Sequence, residues 1–354
     1  MSGHNGWGSQ RVPISRLPSI STDANQGRQY LEANGAGTGI VVKSTTVLQV
    51  GGRLAVVDAD TEVTTLDTGV LTLGTDYYVY AVHSGAGIAF VLSANTTYPT
   101  GYSAGTSRKI GGFHYGRVRA LANRYNRNAV LPVQVVPNSV WDLFNRPRSA
   151  PEGMVKVANL WVDIYLSSEN GAAWPDTAPL SKYNATPLSG TEGYSYYDYG
   201  QLAGNAGKRL PRYAEWLRAA FGVPEGSVGG SARIATGGAG YTLPGASSPA
   251  SSQYYWVSCY GLDQPSGNLW QACADYFDMY NGTTSANGAY SWTNITTGKD
   301  GDVQGSIYAQ FARQLIAGGR WGDGAGAGGR CAGLSDPPWN VGTSVGLRCV
   351  SDSL

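Results

Sequence analysis

The sequence predicts an α+β fold in three parts: a polar N-terminal extension over residues 1–35, a β-sandwich over 36–150, and a loop-rich region over 151–354 built around one helix. Three observations carry this expectation. Short β-branched and aromatic runs, separated by Gly, Asp, Asn or Ser, recur from Gly39 onward. A single apolar stripe at helical spacing follows Gly207. The 50 Gly and 17 Pro in 354 residues imply many turns and few long helices. A chain of this length exceeds one typical domain, and a hydrophobic fraction of 42% with 10 Trp and 23 Tyr supplies a large core.

Residues 1–35 carry Arg11, Arg16 and Arg28 among Ser, Gly, Asn and Pro, with no apolar period, as expected of an arm that orders only against a partner or not at all. Strands are then predicted over Ile40–Val42, Leu54–Val57, Tyr77–Val82 and Ile88–Leu92, and further on over Lys109–Arg117 and Val133–Val136. In the third of these, Tyr78, Tyr80 and Val82 share one face and Tyr77, Val79 and Ala81 the other, so both faces can be buried. From Pro151 the strongest strand candidate is Val155–Leu166. The one long helix expected follows Gly207, with Pro211 in its first turn, Tyr213, Trp216, Leu217, Ala220 and Phe221 on one stripe, and Gly222 as its stop. Beyond residue 225 the chain is rich in Gly, Ser, Ala and Trp with little period, which predicts long ordered loops on aromatic anchors.

Charged residues make up only 14% and the net charge is +1, which excludes an electrostatic footprint for nucleic acid or anionic lipid. No apolar run approaches the roughly 20 residues needed to span a bilayer, and MSGHNGWGSQ lacks a signal peptide's apolar core. Neither nucleic acid binding nor membrane insertion is expected. Cys259, Cys273, Cys331 and Cys349 all fall in the last hundred residues and leave two states open, free thiols or one late disulfide.

Three segments in the last region resemble the formylglycine-generating-enzyme (sulfatase-modifying factor) family of C-type-lectin-like folds, in order and spacing. Gly207-Lys208-Arg209-Leu210-Pro211 with Ala214-Glu215-Trp216 is similar to its GKRLPTEAEW signature. Gly267-Asn268-Leu269-Trp270 is similar to its GNVWEW segment, with Gln271 at the usual Glu. Gly318-Gly319-Arg320-Trp321 and Gly346-Leu347-Arg348 resemble its closing GGSW and GFR elements. A longer resemblance, to the phage major tropism determinant family, runs from about residue 36 to the C-terminus. It rests on Gly111-Gly112-Phe113-His114-Tyr115, Ser139-Val140-Trp141-Asp142-Leu143, Arg146-Pro147, Gly153-Met154, Trp161-Val162-Asp163-Ile164-Tyr165-Leu166 and Ser181-Lys182-Tyr183-Asn184.

That resemblance implies a β-sandwich followed by a lectin-like domain in a homotrimer at the tip of a tail fibre. Its implied setting is the virion, after synthesis in the host cytoplasm; residues 1–35 do not resemble that family's N-terminal domain, and the contact with other tail proteins is read from their character as a polar arm. It also implies binding of a host surface protein, pilus or glycan through C-terminal loops, which a retroelement diversifies in some members. Carried over from Trp321, the displayed positions are Arg320, Gly322, Asp323, Gly324, Gly326, Gly333, Ser335, Asp336, Asn340, Gly342, Ser344 and Val345. Trp339, stiffened by Pro337 and Pro338, joins them as the residue with most contact area to offer if it is exposed; the alternatives are a Trp buried under the loop and, for Arg320 and Asp323, a solvated or mutually paired couple. The eight glycines from Gly318 to Gly333 favour loops over helix or strand, and stability is expected to reside beneath them, in Trp216, Trp270, Trp321 and their neighbours.

Enzymatic activity is not expected and no cofactor is assigned. The copper-dependent oxidase that names the fold needs a closely spaced cysteine pair, and Cys331 has no partner within ten residues. His4, His83 and His114 lie far apart in the sequence, and His114 reads as a structural residue in its strand. Asp58, Asp60 and Glu62 read as a solvated strand face. The competing class is a structural tail or baseplate component whose residues 318–354 are buried against a neighbour.

Overall fold

Short strands, few of them longer than six residues, make up most of the regular structure in the computed structural model. The described residues are 29–85, 87–239, 254–278, 291–300 and 305–354. Most of the segment expected as an extension lies outside them. The chain divides into two compact units, one of residues up to Val70 with Tyr77–Gly112 and Trp141–Asn145, the other of Leu71–Asp76, Phe113–Val140 and Arg146–Leu354.

The first unit begins with β1 (Leu31–Ala33), β2 (Ile40–Val42), β3 (Val47–Val50), β4 (Arg53–Val56) and β5 (Thr61–Val63), followed by β6 (Thr75–Ser84), β7 (Gly87–Ser93) and β8 (Ser107–Arg117). The strand β9 (Val133–Val135) pairs with the end of β8 in the second unit, and β10 (Trp141–Asp142) with its middle in the first. One sheet runs β1-β2-β5, another β10-β8-β6-β7, and β3 and β4 form a hairpin. Residues 77–82 of β6 are all buried, as their two-faced pattern predicts. The strand β1 falls inside the segment expected to be an extension, a boundary the sequence hides because Leu31-Glu32-Ala33 is too short to show a period. Its position is fixed from both sides. The Tyr30 amide donates to Asp142 Oδ2 at 2.7 Å and its hydroxyl to the Ile110 carbonyl at 2.6 Å.

The second unit contains β11 (Met154–Val157), β12 (Leu160–Asp163), β13 (Ser167–Glu169), β14 (Pro179–Ser181), α1 (Tyr196–Asn205) and α2 (Tyr213–Ala219). Then follow β15 (Trp270–Asp278), β16 (Ser291–Asn294), β17 (Ser306–Ala309), β18 (Ala312–Ala317), β19 (Ala332–Gly333), β20 (Val345–Gly346) and β21 (Val350–Asp352). The stretch Val155–Leu166, expected as one strand, is a hairpin of β11 and β12 that reverses at Ala158, whose φ is +59°. Only Asn159 interrupts the apolar run, and it follows the left-handed residue instead of occupying that position, so composition marks the turn weakly. Strand β12 is central, between β11 and β21. The second sheet runs β19-β18-β15-β20, with β15 and β20 parallel.

The helices also correct the sequence-based expectation. The longer one, α1, is not expected from the pattern, because its Tyr and Gly content weakens the apolar stripe; its Ser195-x-x-Asp198 capping box is the signal available. In α2 the N-cap is Arg212, its amide donating to the Glu215 carboxylate at 2.8 Å, so Pro211 precedes the helix instead of entering its first turn. Because α2 ends at Ala219, Phe221 falls off the stripe and is exposed, while Ala219 is buried. Gly222, at φ +84°, stops the segment as expected. Trp216 packs with Ala220, Val223, Trp256, Cys273 and Leu315 and donates Nε1 to Gln271 Oε1 at 3.2 Å.

At the centre of this unit lies a fully buried guanidinium. Arg348 donates Nε to Gln271 Oε1 at 2.9 Å, and its terminal nitrogens donate to the carbonyls of Asp163, Ile164, Asp263 and Gln264. Beside it, Lys208 and Asp163 form a buried ion pair at 2.6 Å. Replacing Arg348 with Met strands these acceptors away from water, and we expect urea unfolding to show a loss of about 3–5 kcal/mol. A loss below about 1 kcal/mol would contradict the arrangement.

Burial pushes the Asp263 carboxyl up to about 6, against the downward pull of Arg117 and Arg348. Its folded-state pKa thus lies above the ordinary value of 3.8, and the native state holds the proton more tightly than the unfolded chain. The stability this contributes is present at about pH 4 and is lost as pH rises through about 6. The Asp263→Asn variant should flatten that part of the curve by up to about 3 kcal/mol; parallel wild-type and variant profiles between about pH 4 and 6.5 would refute it.

Candidate functional site

Two loops emerge from the β19-β18-β15-β20 sheet, residues 318–331 between β18 and β19 and residues 334–344 between β19 and β20. The first opens on a backbone that tolerates no side chain. Gly318 and Gly319 are buried at φ +97° and +82°, and a Cβ would meet the Pro265 carbonyl oxygen at 2.5 Å and Ala327 Cβ at 2.7 Å respectively. Both carbonyls accept from the Gly267 amide. The loop is then pinned again where the Trp321 amide donates to the Asn268 carbonyl at 3.1 Å and Ser227 Oγ donates to the Trp321 carbonyl at 2.7 Å. The Trp321 ring itself is half-buried.

Past that anchor the chain turns outward. Arg320 and Asp323 form a half-exposed pair, Nε to Oδ1 at 3.2 Å and the Arg320 amide to Oδ2 at 2.8 Å. At Gly322, Gly326 and Gly328 nothing lies within 4 Å of where a Cβ would stand, so side chains there would project freely. Residues 325–331 also border a groove of about 860 Å3 with Tyr213, Leu217 and Phe221. In the second loop Asn340 Nδ2 donates to Asp336 Oδ1 at 3.0 Å, the Asp336 carbonyl accepts from the Gln314 amide at 3.0 Å, and Pro338 is buried beneath. Trp339 is half-buried, and its carbonyl accepts from Thr297 Oγ1.

Of the positions expected on display, Arg320, Gly322, Gly326 and Ser335 are exposed, and Asp323, Gly333, Asp336, Trp339, Asn340, Gly342 and Ser344 are partly so. Gly324 and Val345 are buried and leave the set. Val345 starts β20 and packs into a core with Leu188, Tyr199, Leu202 and Leu347. The expected surface omits one prominent feature. On the hairpin of β16 and β17, Trp292 and Tyr308 face each other across the strands at 5.1 Å and are 70% and 55% exposed. Alternation in Ser291–Asn294 and Ser306–Ala309 is the available sign, but each run is only four residues long.

The other candidates settle into the framework. His114 is buried in β8, with Nδ1 at 2.9 Å from Asp76 Oδ1 and Nε2 at 3.0 Å from the Tyr165 hydroxyl, a hydrogen-bonded structural residue as expected. Asp60 pairs with Lys43 at 2.8 Å on an exposed face. All four cysteines are free. Burial holds the Cys273 thiol well above its usual range and pushes Cys349 up to about 12, so neither supplies a thiolate nucleophile near neutrality.

Comparison with known proteins agrees with this architecture in both units. Residues 29–142 match the family described as the Mtd second domain, and residues 100–353 match the Sulfatase-modifying factor enzyme 1-like domain. The chain is 32% identical to the tail fiber receptor-binding protein of Bordetella phage BPP-1 over 99% of its own length and 90% of that protein. This chain belongs to the tropism-determinant family. Solved structures of the Major Tropism Determinant P3c and M1 variants each align with a TM-score of 0.77 at 28% identity, over 96% of this chain and 88% and 87% of theirs. The tropism-determinant relationship takes in nearly all of residues 1–28 as well, since it extends over 99% of the chain.

A family fold of this kind separates positions that accept change from positions that do not. We expect Gly322→Tyr and Gly326→Tyr to alter unfolding free energy by less than about 0.5 kcal/mol, and Gly319→Ala to lower it by more than about 2 kcal/mol. Equal losses at all three positions would show that the loops are not carried as an independent layer.

Proposed function

We propose that this protein is the receptor-binding tip of a phage tail fibre and sets which host the particle adsorbs to, through the loops at 320–323, 325–326 and 333–344. The observation that carries this reading is its 32% identity, over 99% of the chain, to a tail fibre receptor-binding protein. The physical arrangement supports the assignment to these loops. Exposed side chains sit on a backbone anchored by buried glycines and by hydrogen bonds to residues 267 and 268, so recognition groups can change while the sheet beneath is retained. We read the first unit as a β-sandwich, and the role of the whole chain as binding without catalysis. A homotrimer would present three copies, and several fibres per particle would raise effective concentration enough to hold a receptor that one copy binds weakly.

The reading is tested on whole phage carrying Trp339→Ala and, separately, Asp336→Arg, with particle yield and morphology checked in the same preparation. We expect normal particles whose adsorption falls by roughly tenfold or more, the loss of a hot-spot contact. Unchanged adsorption by both would sink the assignment to these loops, and missing or tailless particles would favour a structural tail component.

A further inference from the structure

Next to the Trp339 segment, whose carbonyl is held by Thr297, the second unit contains a cavity of about 760 Å3. Its walls come from Trp174 and Pro175, the first two turns of α1, and residues 295–300 and 305–307. Aromatic faces and hydrogen-bonding groups alternate around it. Trp174 donates Nε1 to Asp300 Oδ1 at 2.7 Å, and its ring rests against Tyr194 at a centroid distance of 6.0 Å, so the indole is held from its edge and from one side. Tyr197, 43% exposed, and Gln201, on the same exposed face of α1, offer a second ring and an amide whose Nε2 donates to Asn205 Oδ1 at 2.8 Å and whose Oε1 can accept; the Ser306 hydroxyl donates to Asn294 Oδ1 at 2.5 Å and can likewise accept.

We propose that this cavity binds a neutral oligosaccharide. Sugars are amphipathic in the matching way: their C–H faces lie against aromatic rings while their hydroxyls exchange hydrogen bonds with amides, carboxylates and hydroxyls. The charges at the site argue against other ligands. No Lys or Arg lines the cavity among the described residues, and the ammonium of nearby Lys299 is already placed over the Tyr194 ring at 4.4 Å, so an anionic ligand would have no counter-charge. A cationic ligand fares little better. The Asp198 carboxylate caps α1, accepting from the Ser195 amide at 2.6 Å, the Ser195 hydroxyl at 2.8 Å and the Lys299 amide, and Asp300 holds the indole. The volume lies within the range of sites that enclose most of a small ligand, about 300–1,000 Å3, and exceeds what a single side chain fills.

The inference rests on the host-facing reading above for the biological source of the sugar, but its chemistry is tested apart from phage adsorption. The purified full chain is applied to a printed array of neutral and acidic microbial oligosaccharides with polylysine spots alongside. We expect binding to neutral glycans that Tyr197→Ala and Gln201→Ala each reduce by roughly tenfold or more. Both helix positions are exposed, so circular dichroism melting should match the wild type, and Trp174→Leu serves as a third variant. A signal confined to acidic glycans or polylysine, no signal on neutral glycans, or wild-type binding by both helix variants overturns the proposal. A silent array combined with adsorption that still depends on Trp339 sinks this inference alone. Array binding that depends on Tyr197, with adsorption indifferent to Trp339, sinks only the loop assignment.

Discussion

The second unit is organised around the Arg348 guanidinium. A fully buried cation is tolerated only when its donors are matched, and here Gln271 and four backbone carbonyls from two separate segments take them up. The consequence reaches beyond one side chain. Carbonyls 163 and 164 lie at the end of the central strand β12, and carbonyls 263 and 264 lie in the long connection before β15. The guanidinium thus satisfies backbone carbonyls in chain with little regular structure, which lets that chain be buried. Gln271 then links the same charge to Trp216, the anchor of α2. A planar five-donor group suits this role in a way that lysine would not.

Around that centre, glycine divides the unit into what is fixed and what is free. Gly318, Gly319, Gly267 and Gly346 lie where a Cβ would strike backbone or close-packed atoms, whereas Gly322, Gly326 and Gly328 face open space. The same residue type thus marks close packing at one end of a loop and freedom at the other. Recognition groups are added at the second kind of position without touching the first.

Much of this is legible in the residues themselves. The motif Gly207–Trp216 locates α2, and the pattern of Tyr77–Val82 announces burial on both faces of β6. What stays hidden has physical reasons. The turn at Ala158 adopts a left-handed backbone without a Gly, Asn or Asp at that position to mark it, so the β11–β12 hairpin reads as one strand. In α1 the capping residues are orthodox but the apolar stripe is diluted by Tyr197, Gly200 and Gly204. At the site, the region from Gly318 to Ser344 stands out in the sequence, but the burial of Val345 depends on a core supplied by residues more than a hundred positions away, such as Leu188 and Leu202. No local pattern carries that information.

The second loop, residues 334–344, has both its ends tied to one sheet, at Gly333 by pairing with β18 and at Val345 by pairing with β15. Closing a loop between fixed ends costs an entropy that grows only with the logarithm of its length. Inserting about four residues there adds about 0.3 kcal/mol on that account. Insertions and deletions, as well as side-chain replacement, are therefore open to this surface, and its reach toward a partner can change by several ångströms while the sheet beneath keeps its register.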